Sequence, residues 1–122
     1  MTNPKIPLSG KVYCLDTASI STKSGMNNVF LAIHADSLKI AHIEMHPQSE
    51  QGSYKQFILN LAQKEHLESS SEQVHFIMDI PEEQAPVVAK AFPFLNSVVA
   101  NHEFCKNSCK PAWEYLADAL NK

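Results

Sequence analysis

Asp16, Asp79 and Glu114 are the residues with which this 122-residue chain could do chemistry. Asp16 interrupts the β-rich run 11–20, Asp79 closes the apolar run 74–78, and Glu114 opens the amphipathic C-terminal segment. Three carboxylates brought to one pocket by different elements can hold two divalent ions about 3.5–4 Å apart, one activating an attacking oxygen and one stabilising a leaving oxygen in phosphoryl transfer. Mg²⁺ suits such a site because it prefers carboxylate oxygen and retained water. Simpler roles compete: Asp at a strand end often serves a turn, and Glu in a first helical turn is favoured by the helix dipole alone. Asp16 is harder to explain that way, because a carboxylate inside an apolar strand needs a partner.

A second constellation is His102, Cys105 and Cys109, with ligand types that suit Zn²⁺. A fourth ligand would have to come from Cys14 or another histidine, and two free thiols in a polar loop are the simpler reading. His42 and Glu44 share one face of a strand and can pair. Trp113 lies on an apolar helical stripe, so core packing is favoured over stacking on a base. Lys106 and Lys110 make a small basic patch that reads as a solvated loop.

These residues need elements to position them. Residues 1–9, with Pro4 and Pro7, read as a tail leading into a single domain over 10–122. The runs 11–20, 29–35 and 39–45, separated by turn chemistry, predict three antiparallel strands. The period-two alternation of the third marks it as an edge strand. Tyr54, Phe57, Ile58, Leu61 and Ala62 then fall on one face of a helix over about residues 49–66, with Ser49 and Gly52 in its cap region. Residues 74–80 predict a buried strand, residues from about 83 a helix that Pro93 ends, and residues 97–100 a fifth strand. The segment 102–110 reads as a polar loop, and Pro111 opens a last helix. The order is β-β-β-α-β-α-β-α, an α/β chain built on a mixed five-stranded sheet.

Composition narrows the classes. With 44% hydrophobic and 19% charged residues the chain is too apolar for disorder, and no apolar run approaches the roughly 18–20 residues of a transmembrane helix. The first residues carry no apolar signal core, and three cysteines do not make a disulfide framework, so a cytoplasmic protein is expected. Ten lysines, no arginine and 13 acids leave a net charge of −3. Phosphate neutralisation by Lys and Arg supplies most nucleic-acid affinity, so a strong stand-alone binder is disfavoured.

Taken in order, the motifs resemble the catalytic core of integrase-type DDE transposases and retroviral-like integrases, of the ribonuclease H-like superfamily. Asp16-Thr17 is similar to their opening Asp-x-Thr. Residues 30–42 resemble their apolar strand, Asp-containing turn and following strand, Asp79 follows Phe76-Ile77-Met78 as their second Asp follows a strand, and Ala112-Trp113-Glu114-Tyr115-Leu116 resembles the helix with their final Glu. The resemblance implies a ribonuclease H-like fold and DNA cleavage and strand transfer with Mg²⁺ or Mn²⁺. It makes Asp16, Asp79 and Glu114 the metal ligands, DNA the partner and a homodimer the assembly. Ile80-Pro81-Glu82 stands where the family has a glycine-containing turn. That turn, the missing arginines and the net acidity favour the alternative: a non-catalytic interaction or regulatory module that reuses the fold.

Overall fold

A computed structural model describes residues 10–23, 25–47 and 54–120. The expected tail 1–9 and the cap region at Ser49 and Gly52 lie outside the described residues. Strands β1 (Lys11–Thr22), β2 (Gly25–His34) and β3 (Ile40–Pro47) are followed by helix α1 (Tyr54–Glu65), strand β4 (Val74–Met78), helix α2 (Ala85–Ala91), strand β5 (Ser97–Ala100) and helix α3 (His102–Leu120). The sheet order is β3-β2-β1-β4-β5. β1, β2 and β3 pair antiparallel, whereas β4 lies parallel to β1 and β5 parallel to β4. β3 is an edge strand, as its alternation predicts.

β1 explains how the sheet separates two cores. Tyr13 and Leu15 point to one face, where they join Phe30, Ala32, Phe76 and Met78 under α1 residues Phe57, Ile58, Leu61 and Ala62. Cys14 points to the other face and joins Leu31, Ile33 and Ile77 under α3 residues Cys105, Cys109 and Ala112. Residues 13–16 are therefore buried on both faces, while from Thr17 onward the strand alternates between exposed and half-buried as it leaves the helices behind. At the start of β1 the chain passes so close to Gln73 that a Cβ on Gly10 would lie 2.5 Å from its carbonyl oxygen, and Gly10 also takes φ +85°. Glycine is required there on both counts.

The largest departure from expectation is α3. The segment 102–110 is helical and Pro111 lies inside the helix. Asn101 supplies the start: its side-chain oxygen accepts the Phe104 N–H at 3.0 Å and its carbonyl accepts the Cys105 N–H at 3.1 Å. Such a cap satisfies donors that a helix N-terminus otherwise leaves open. An interior proline forfeits one backbone bond and costs about 3 kcal/mol. Burying Cys105, Cys109 and Ala112 against the sheet offsets that cost, as tertiary packing commonly overrides local propensity. Glu114 thus stands well inside the helix, not in its first turn. Among the described residues no helix is long and apolar enough to cross a membrane.

Candidate functional site

β1 and β4 bring the two aspartates together. Leu15 is in register with Met78, so the next residue on each parallel strand, Asp16 and Asp79, emerges side by side on the α3 face. Asp16 keeps 1% of its side chain exposed, and every partner it has is a donor. Lys106 Nζ donates to Oδ1 at 2.9 Å and Oδ2 at 3.2 Å, Trp113 Nε1 donates to Oδ2 at 2.8 Å, and the Thr17 backbone N–H donates to Oδ1 at 2.9 Å. The same Lys106 ammonium reaches Asp79 Oδ2 at 3.2 Å, and Asp79 Oδ1 lies 2.7 Å from His102 Nδ1. One lysine therefore clamps the middle of β1 and the end of β4 to α3.

The electrostatics follow from this geometry. Burial pushes the Asp79 carboxyl up, but hydrogen bonds from His102 and Lys106 outweigh it and hold the group below the usual carboxylate range. Burial disfavours the Lys106 ammonium, and Asp16 and then Asp79 more than reverse this, so it stays charged above the usual lysine range.

The structure brings two of the three expected carboxylates together. Asp16 and Asp79 meet, but Glu114 is exposed and follows Trp113, whose indole already points at Asp16. Successive helical residues diverge by about 100°, so a helix that aims Trp113 at Asp16 turns Glu114 aside. Among the described residues no three His, Cys, Asp or Glu side chains come together as a group that could hold a metal ion. The donor set as it stands does not fit a divalent pair, because an ammonium occupies the space that the ions would need. Lys106 and His102 are the members that reading 102–110 as a loop misses. On a helix begun at Asn101, positions 102, 106 and 113 fall on one face, and that spacing was the available signal.

His102 does not join the cysteines. Cys14, Cys105 and Cys109 are fully buried between the sheet and α3, where Cys105 Sγ donates to the Leu15 carbonyl at 3.1 Å. Contact with Cys105, and then burial, push the Cys14 and Cys109 thiols up, so both are uncharged. The expected His42–Glu44 pair forms at 2.8 Å on the opposite face, with Asn60 of α1 donating to the same Glu44 oxygen at 2.9 Å. A cavity of about 650 Å³ lies at the start of β1, where Tyr13 donates to Glu65 at 2.9 Å.

No protein-family model and no curated protein sequence matches the chain. Among solved structures, the Mos1 transposase catalytic domain, in a structure with raltegravir and Mg, is similar over 91% of this chain with a TM-score of 0.65 at 16% identity. The fold is ribonuclease H-like. The chain spans 61% of that neighbour's length. On this ribonuclease H-like sheet, Asp79 follows the last residue of β4 and Asp16 stands midway along β1, so the two meet where the parallel pairing of these strands ends. Lys106 reaches them from the helix that packs across β1 and β4.

Proposed function

We propose that the chain is a non-catalytic ribonuclease H-like module, acting through interaction or regulation and not through phosphodiester chemistry. One observation carries this reading: the Lys106 ammonium lies within 3.2 Å of oxygens of both Asp16 and Asp79. An ion pair there neutralises charge that two-metal chemistry needs unpaired, and it ties α3 to the sheet. The lack of arginine and the net charge of −3 support a partner other than bare DNA.

The second reading is a transposase or integrase core that cleaves and joins DNA with Mg²⁺ or Mn²⁺ on Asp16, Asp79 and Glu114, and that pairs as a homodimer. The fold it shares with a transposase catalytic domain and the adjacency of the two aspartates favour it. A nuclease and strand-transfer assay on linear and branched DNA with Mn²⁺ separates the two. The module reading expects no cleavage above background. Cleavage by the wild type that Asp16→Asn and Glu114→Gln both abolish would establish the transposase reading in its place. Size-exclusion chromatography with light scattering tests the homodimer.

A further inference from the structure

We infer that the Lys106 ammonium and a divalent cation are mutually exclusive occupants of one position, so that this domain carries its own cation on a tether. The inference rests on the module reading and deepens it by stating what keeps metal out. An ammonium has three N–H donors and no acceptor. Lys106 has three carboxylate oxygens within reach, at 2.9 and 3.2 Å on Asp16 and 3.2 Å on Asp79, so each donor has a place. Trp113 and the Thr17 N–H also donate to Asp16, and His102 lies 2.7 Å from the other Asp79 oxygen, so every oxygen of the two carboxylates already has a partner. A cation placed between the two carboxylates would take the oxygens that Lys106 now holds.

Charge alone would favour a divalent ion, since two carboxylates carry −2 and the lysine supplies +1. Tethering decides the contest. Nζ is held on a helix packed across both strands, so its binding is intramolecular and loses no translational freedom, whereas a free ion must compete from solution. Removing the ammonium leaves Asp16 buried with two N–H donors and no counter-charge, a state that an ion from solution relieves. Substituting an acid at 106 adds a third carboxylate on the same helix face and raises the demand for a cation further.

The test titrates Mn²⁺ into the full chain and follows loss of the free-ion paramagnetic resonance signal, with thermal melts in parallel. Wild type, Lys106→Asp, Lys106→Ala and Lys106→Asp/Asp16→Asn are compared. The wild type is expected to take up no stoichiometric Mn²⁺, and Lys106→Asp to bind at least about tenfold more tightly, a gap of about 1.4 kcal/mol. Its melting temperature rises with Mn²⁺ by mass action, and the double variant loses most of both effects. A Lys106→Asp chain that folds only with Mn²⁺ supports the inference equally. It is overturned if folded Lys106→Asp and Lys106→Ala bind Mn²⁺ no better than the wild type, or if neither folds in saturating Mn²⁺, because the ion should then do the work of the ammonium. DNA cleavage by the wild type would defeat the module reading instead. Metal-blind variants beside an inert wild type would defeat only this inference.

Discussion

Two carboxylates, one on each face of the sheet, are paired in different ways. Asp16 faces α3, fully buried, and its cation is a lysine. Glu44 faces α1 from the edge strand β3, partly exposed, and its partners are His42 at 2.8 Å, His46 at 3.4 Å and Asn60. Burial pushes the Glu44 carboxyl up, and hydrogen bonds from Asn60, His42 and His46 more than offset this and hold it low. The Lys106 ammonium keeps its charge throughout the physiological range. The buried, central position therefore carries a permanent counter-charge. The edge position, where water reaches the carboxylate, manages with an amide and two imidazoles.

That contrast can be broken by substitution. Asp16→Ala strands the Trp113 N–H and takes from Lys106 two of its three carboxylate oxygens, leaving only Asp79, and unfolding in urea is expected to show a loss of about 3–4 kcal/mol. Lys106→Met keeps the apolar stem and removes the charge; because Lys106 is 42% exposed, the expected loss is about 2–3 kcal/mol, below that of a fully buried pair. Trp113→Phe removes one hydrogen bond to a charged acceptor and keeps most of the apolar ring contact, for about 1.5–2 kcal/mol in the same assay. Glu44→Gln, which keeps an acceptor at a wetter site, is expected to cost about 0.5–1 kcal/mol. A Glu44→Gln loss equal to that of Asp16→Ala would erase the distinction between the two faces.

Acid sharpens the comparison further. Asp79 and Glu44 both have lowered folded values, so each binds protons less readily folded than unfolded. Their contribution is complete above the ordinary carboxylate range near pH 4 and is lost as the pH falls through the lowered folded values. Urea midpoints at pH 7 and pH 3 should therefore differ less in Lys106→Met than in the wild type, because the lysine no longer holds Asp79 down.

Much of this is legible in the sequence. The alternation in 39–45 marked an edge strand because one face of it meets water. The i, i+3, i+4 pattern of Tyr54 to Ala62 marked α1 because a helix must bury one stripe. Asp16 was legible as a residue needing a partner, since a strand flanked by apolar residues offers none locally. The partner itself was hidden. Lys106 sits in a stretch of polar residues and cysteines ahead of a proline, which reads as a loop. Only the burial of Cys105, Cys109 and Ala112 against the sheet makes it a helix and turns Lys106 inward.

The order of elements, the edge strand, the two apolar faces and the presence of a buried acid in β1 were settled by the chain's own periodicity, because period and polarity are local properties that survive without knowledge of the fold. Which groups meet was decided by the tertiary structure alone. The parallel register of β1 with β4 sets Asp16 beside Asp79, and the helix begun at Asn101 delivers Lys106 to both while turning Glu114 to solvent. Contacts between residues that far apart in sequence depend on register and on helix rotation, and a one-residue change in either would have pointed different side chains into the same space.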